Sequence, residues 1–203
     1  MYLDVSLHII YINSKADRPF FRKGFMKTKF PKSSHPTGLH FFKRNPHPKK
    51  EDHGDCAVRA IALATDTEYW LVKHYADDAV VQRHDGDEPV WGYKRYQTSY
   101  GGMTRQEMTS AIYDMAKSNR KLYDWKYIPY NTVFHIDNLP EVCIADQDRH
   151  VVCVKDGAIY DSWDSRGKTK KLKKVIGVWC HVDMWRKFFD KHNGDLRTAG
   201  VVK

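Results

Sequence analysis

The hydrophobic pattern of this 203-residue chain changes period near residue 120, and this change restricts the fold more than any other feature. Before it, apolar side chains recur every three or four residues, as they do in amphipathic helices. After it, short β-rich segments alternate apolar with polar residues and are separated by Asp, Gly, Pro and Lys clusters, as in antiparallel strands. Helices followed by strands predict an α+β fold.

The first half of the chain contains three predicted helices. An alanine-rich apolar run after Gly54 predicts a buried helix with Asp55 as its N-cap. Two more helices are predicted over 67–81 and 105–118, the latter opened by a capping box at Thr104–Glu107. The predicted inner side of the second helix consists of Trp70, Leu71, His74 and Ala79.

The second half predicts five strands, followed by a short docking helix and polar tail at 184–203. A further strand is predicted at 1–13. Five prolines in the segment 14–55 argue against regular elements there, and its six phenylalanines predict that it packs on the body of the protein. The five strands are predicted at about 125–135, 141–145, 150–155, 158–163 and 175–183.

The positive charge of the chain is concentrated at its N-terminal end. Residues 1–50 hold 11 Lys or Arg against two Asp, a balance of +9, and the other residues balance at 23 basic and 23 acidic. We therefore separate a basic, Phe/Pro-rich segment at 1–50 from a domain at 51–183. Such a segment can bind nucleic acid through phosphates, but its phenylalanines favour wrapping around the body.

Neither a membrane span nor a targeting segment is predicted. No apolar run approaches the roughly 18 residues of a transmembrane helix. The first 20 residues carry Asp4, Lys15, Asp17 and Arg18 instead of a basic start followed by an apolar stretch. We expect a cytoplasmic protein with no membrane partner.

The four cysteines are not equivalent. They lack C-x-x-C spacing and a histidine placed to complete a zinc-finger pattern, so no metal site is predicted. No cofactor is predicted either. Cys143 and Cys153 lie in apolar strand segments that favour a small buried residue, and Cys180 lies on a late strand, away from any helix start. Cys56 falls in the first turn of a helix, where backbone N–H groups and the helix dipole favour the thiolate. It is a candidate nucleophile, the alternative being a small residue buried in an alanine-rich helix.

Residues 150–164 predict a β-hairpin with a two-residue turn at Asp156–Gly157. With this turn, Asp161 lies diagonally beside His150, and Asp164 points the other way. A three-residue loop would instead turn Asp164 toward the histidine. A carboxylate beside a histidine is the arrangement of a Cys-His-Asp triad, although a half-exposed strand histidine near a turn aspartate is the simpler alternative.

Two segments carry a resemblance to a known family. His53–Ala60, reading HGDCAVRA, and the later segment HVV…DGAIYDSWD at 150–164 resemble the small papain-like cysteine peptidases of bacteria and their phages. The resemblance covers about residues 50–183 and implies the papain-like fold, with N-terminal helices packed on a C-terminal antiparallel sheet. It implies the following roles: Cys56 as nucleophile, His150 as base and Asp161 as the orienting residue.

The resemblance has one departure, which concerns the oxyanion hole. Papain has a glutamine a few residues before its nucleophile, whereas Lys50–His53 stand there in this chain. His53 is the candidate substitute donor.

These features predict a cysteine-dependent hydrolase, a peptidase or isopeptidase that acts on a protein or peptide through a thioester acyl-enzyme. The same three groups serve an acyltransferase or transglutaminase-like enzyme equally well. A third alternative is a non-catalytic basic protein whose segment 14–50 binds nucleic acid or a partner surface. If the chain is phage-encoded, its expected location is the host cytoplasm.

Overall fold

A computed structural model of the chain describes residues 40–51, 54–84, 98–133, 136–166 and 174–201, all within one structural unit, Ser33–Lys203. Three helices precede most of the strands, so the structure is α+β as predicted. Within the described residues, no helix is both long enough and apolar enough to cross a membrane. The longer helices are α1 Cys56–Thr65, α2 Tyr69–His84, α3 Arg105–Ser118 and α4 Val182–Lys191, and short 3-10 turns occupy Ser99–Gly101, Arg120–Leu122 and Ile136–Asn138.

Six described strands form one sheet in the order β1-β5-β4-β3-β6-β2. Neighbouring strands pair antiparallel except β1, which runs parallel to β5. Five of the strands and α4 fall close to their predicted positions. The strands are β1 His40–Lys43, β2 Trp125–Val133, β3 Val142–Asp146, β4 Val151–Lys155, β5 Ala158–Asp161 and β6 Val175–His181.

The sheet buries side chains on both of its faces. Successive residues of β3 alternate between two core clusters: Ile144 packs with α1, α2 and α3, whereas Cys143 and Ala145 pack with Phe188 of α4. This alternation is the expected result of strand geometry. The helices α1–α3 therefore cover one face of the sheet, and α4 covers the other.

The β4–β5 hairpin has the predicted register. Lys155 pairs with Ala158 and Val154 with Ile159, which leaves Asp156 and Gly157 as the two turn residues. Both turn residues have positive φ, 52° and 72°, as a type I′ turn requires.

The predicted inner face of α2 is wrong. Trp70 and Leu71 are both 46% exposed, and His74 is exposed as well. The core-facing stripe is Tyr69, Val72, Ala76, Ala79 and Val80, which recurs at helical spacing. Its small alanines let α2 approach α1 and α3 closely, and only Ala79 of the predicted set belongs to it.

The strand β1 corrects the prediction that prolines exclude regular structure from 14–55. Prolines 36 and 46 flank the strand but do not enter it. Phe42 stacks on Tyr160 of β5 at 5.3 Å between ring centroids, and Phe41 packs on the core, as the phenylalanine content predicted. The predicted strand at 1–13 and residues up to 39 lie outside the described residues. The domain boundaries stay predictions.

Helix α1 and strand β4 run side by side in the same direction. Cys56 at the start of α1 lies beside His150, which precedes β4. At the other end, Lys155 Nζ donates to both carboxylate oxygens of Asp66, the residue after α1, at 2.9 Å. Ten helical residues span about 15 Å and five strand residues about 17 Å, so the two elements match in length.

Gly177 in β6 leaves space for the ring of Tyr127 in β2. A Cβ at position 177 would lie 2.1 Å from the Tyr127 hydroxyl oxygen. We therefore expect Gly177→Ala to lower the free energy of unfolding by about 1–3 kcal/mol, as overpacking does. Urea titration measures this change.

A double-mutant cycle provides the control for this prediction. In a Tyr127→Ala background the clash is gone, so Gly177→Ala should cost clearly less. An equal cost in both backgrounds would contradict the packing explanation.

Candidate active site

The fold brings Cys56, His150 and Asp161 together at one end of the sheet. Here β4 begins, β5 ends and α1 begins. Just before α1, Gly54 permits a close approach to the 3-10 turn Ser99–Gly101: its φ is +72°, and a Cβ there would lie 2.9 Å from the carbonyl oxygen of Tyr100. Three residues that are distant in sequence thus form one cluster.

The three side chains form a hydrogen-bonded line. Nε2 of His150 donates to Oδ2 of Asp161 at 2.6 Å, so Asp161 is the carboxylate bound to the histidine, as the hairpin register predicted. The Cys56 thiol is hydrogen-bonded to the same imidazole, for which Nδ1 is the remaining ring nitrogen. The Trp163 ring lies 5.1 Å from the His150 ring and is tilted against it. Asp164 instead pairs with Arg166.

The surroundings of Cys56 favour its thiolate. Burial raises the pKa of the thiol, but hydrogen bonds from His150 and from the Val151 N–H, with the positive charges of His150 and Arg59, outweigh burial, and the pKa falls below its ordinary value. For His150, burial lowers the pKa, yet the bonds to Asp161 and Cys56 raise it to about 9. Both shifts favour a thiolate-imidazolium pair.

In the other three cysteines the pKa is raised, whereas that of Cys56 is lowered. Cys143, Cys153 and Cys180 are free thiols buried in the core. Burial raises the pKa of Cys153 and of Cys180 to about 12, and that of Cys143 well above its ordinary value. They are packing residues at neutral pH, as predicted.

The start of α1 also provides backbone donors near the sulfur. The first intrahelical bond runs from the Arg59 N–H to the Asp55 carbonyl, so the N–H groups of Cys56 and Ala57 precede the helical ladder. Ala57 lines the same cleft as Cys56. His53, the predicted side-chain donor, lies outside the described residues.

Beneath the triad lies a buried charge network that the sequence did not predict. Asp55 occupies the N-cap position, but its side chain makes no capping bond. It binds the Arg59 guanidinium and accepts a hydrogen bond from the Tyr69 hydroxyl. Arg59 Nη2 lies 4.0 Å from Asp161 Oδ1, and both side chains are 3% exposed. Arg59 thus stands between two buried carboxylates, one of them the triad aspartate.

A cleft of about 540 Å³ opens over Cys56 and His150. One wall is the segment from Gly102 to the first turn of α3, and the other is the turn from Asp146 to Arg149 between β3 and β4. Trp179 contributes to the lining as well. The cleft is partly open to solvent, and Cys56 itself is partly exposed.

Comparison with known proteins gives no relative: no family model, curated protein or solved structure matches this chain. The geometry of the site joins a thiol of lowered pKa, a hydrogen-bonded imidazole and a buried carboxylate.

We expect Cys56 to react with iodoacetamide at a pH where an ordinary thiol does not. Its thiolate forms below the ordinary thiol pKa, so the alkylation rate should rise at lower pH than for a free cysteine and reach a plateau. In His150→Ala the rise should move to higher pH, because the hydrogen bond and positive charge are lost. Peptide mass spectrometry of all four cysteines measures the rates.

His74→Ala is the matched control for this experiment, since His74 is an exposed histidine on α2 that pairs only with Asp78 among the described residues. Its profile should equal that of the unmodified chain. A His150→Ala profile that is also unchanged would contradict the thiolate-imidazolium pair.

The buried network should contribute to stability. Tyr69→Phe removes one donor from the fully buried Asp55, and we expect the free energy of unfolding to fall by about 1.5–3 kcal/mol, the range for hydrogen bonds to charged groups. Tyr113→Phe on α3 is the control, because Tyr113 is 60% exposed. Equal stability of the two variants in urea titration would argue against the network.

Proposed function

We propose that the chain is a cysteine-dependent hydrolase with Cys56 as nucleophile, His150 as general acid and base, and Asp161 as the orienting carboxylate. The observation that carries this proposal is the hydrogen-bonded line from thiol to imidazole to buried carboxylate. A nucleophile bonded to a base that is itself oriented by a third group is the recurring arrangement of covalent catalysis.

Acylation follows from the protonation states of the pair. The Cys56 thiolate attacks the substrate carbonyl carbon, a C–S bond forms, and the carbonyl π electrons move to oxygen. The oxyanion lies within reach of the N–H groups at the start of α1. As the tetrahedral intermediate collapses, the C–N bond breaks and the imidazolium of His150 gives its proton to the departing amine.

Deacylation uses the same groups in reverse. Neutral His150 takes a proton from water, and the resulting hydroxide attacks the thioester carbon. Collapse breaks the C–S bond, releases the carboxylic acid and returns the thiolate. Asp161 holds the ring through Nε2 in both steps, so Nδ1 stays directed at the reaction.

We also propose that the α+β fold is of the papain-like type. Support comes from the position of α1, which packs on the sheet and begins with the candidate nucleophile. The hairpin that follows His150 supplies the carboxylate. A protein or peptide is the proposed substrate, because the partly open cleft of about 540 Å³ beside the thiol has the size of a ligand-binding site.

Water and an amine can each attack the acyl-enzyme, and the same three residues can activate either one. An acyltransferase or transglutaminase-like activity is therefore an outcome that the test must separate from hydrolysis. A cytoplasmic location and nucleic-acid binding by residues 14–50 stay predictions of the sequence.

The test is hydrolysis of a peptide p-nitrophenyl ester library, with acid quench and intact-mass detection of the acyl-enzyme. We expect an acyl adduct on Cys56 and turnover that falls by at least about 10²-fold in Asp161→Asn, which loses the anionic partner of His150. Asp164→Asn is the matched control and should retain turnover, since Asp164 pairs with Arg166.

Adding glycinamide distinguishes the two acceptors. Growth of an amide product at the expense of acid indicates acyl transfer, and its absence indicates hydrolysis. If no reagent acylates Cys56 faster than the buried cysteines, the catalytic proposal fails and the non-catalytic alternative gains support.

A further inference from the structure

The cleft beside Cys56 contains an arginine that is held in place by a buried carboxylate. Asp146 at the end of β3 is 2% exposed. Its Oδ2 accepts hydrogen bonds from Arg105 Nε and from the Tyr127 hydroxyl, and its Oδ1 accepts from the Asp148 N–H at 2.9 Å. Each oxygen of Asp146 is thus bound by the protein itself, and Asp146 acts as an anchor for Arg105.

This anchor occupies only one edge of the Arg105 guanidinium. The contact to Asp146 uses Nε, and Nη2 lies 3.9 Å from an Asp148 oxygen, which is beyond hydrogen-bond distance. The side chain is 47% exposed and lines the cleft. Its two terminal nitrogens therefore keep donors for a ligand, and their fork matches the geometry of a carboxylate.

A second arginine lies on the other wall of the cleft. Arg149 directly precedes His150 and also lines the cleft. Among the described residues, its guanidinium makes no hydrogen bond or ion pair, and only its backbone N–H is bound, to Gln147. The Arg149 side chain lies next to the candidate base, and its guanidinium has no partner among the described residues. It is therefore available to bind a substrate anion.

The charges facing the cleft favour an anion. The cations are Arg105, Arg149 and the imidazolium of His150. The anions are the Cys56 thiolate, which is paired with that imidazolium, Asp146, which is already bound, and Asp148, which is 68% exposed. Unpartnered donors on Arg105 and Arg149 thus outnumber the unpartnered acceptors of the cleft. A bound carboxylate would satisfy these donors.

We propose that Arg105 and Arg149 bind a substrate carboxylate, so that this hydrolase prefers peptides with an acidic side chain or a free C-terminus next to the scissile bond. The inference rests on the proposed function, because it assigns the substrate class of the same site. Both sources present the same chemical group, and the experiment separates them.

The probes are three N-iodoacetyl amino acids that differ only in whether they carry a carboxylate and where it lies. Iodoacetyl-glutamate α-amide carries it on the side chain, iodoacetyl-glutamine carries it at the C-terminus, and iodoacetyl-glutamine amide is neutral. In each case the Cys56 thiolate displaces iodide: the C–S bond forms as the C–I bond breaks, and the reagent keeps its charge. Rates at Cys56 are measured by peptide mass spectrometry.

We expect at least one acidic probe to alkylate Cys56 about tenfold or more faster than the neutral probe at low salt, as a charge-assisted pair with two guanidinium groups would give. The faster acidic probe identifies the source of the carboxylate. The preference should shrink in Arg105→Met and in Arg149→Met. If Arg105→Met fails to fold because Asp146 has lost its charged partner, Arg149→Met alone still decides the result.

Arg186→Met is the matched control, because Arg186 lies on α4 and pairs with Asp183. It should keep the full preference. Equal rates for all three probes would overturn the inference while leaving the hydrolase intact, and so would a preference that survives in both cleft variants, since His150 alone would then explain it. Failure of every probe to select Cys56 would instead overturn the proposed function and the inference together.

Discussion

The position of Arg59 between two buried carboxylates is the constraint on which the rest of the site depends. Asp55 belongs to the start of α1 and Asp161 to the end of β5, so one guanidinium connects the helix that begins with Cys56 to the β4–β5 hairpin. Each buried carboxylate costs several kcal/mol to desolvate, and a charge partner offsets that cost. Without Arg59, the two carboxylates would repel each other at the point where the helix must meet the sheet.

The parts of the site that sequence predicts are those that local rules determine. A two-residue Asp156–Gly157 turn fixes strand register, and register alone places Asp161 beside His150. A helix start likewise places Cys56 at a terminus that favours the thiolate. The hairpin and the helix start could each be predicted from a short stretch of sequence, and the fold places them side by side.

What sequence did not predict depends on partners that are distant along the chain. An aspartate before a helix is read as a cap, but Asp55 turns inward because Arg59 and Tyr69 offer buried donors. Large aromatics bias the assignment of a helix face, and Trp70 is half exposed because alanines allow α2 to pack more closely. The pairing of Arg105 with Asp146 joins a helix start to a strand end, and no local pattern encodes it.

Because α1 and β4 run in the same direction, their lengths determine how their starts lie relative to each other. At one end Lys155 is hydrogen-bonded to Asp66, so the distance from thiol to imidazole at the other end depends on the lengths of ten helical and five extended residues. Each added helical residue advances the chain by about 1.5 Å and turns it by roughly 100°, whereas each strand residue adds about 3.3 Å. Inserting or deleting a residue within α1 or β4 would therefore displace the thiol from the imidazole, whereas a length change in the connections outside these two elements would not.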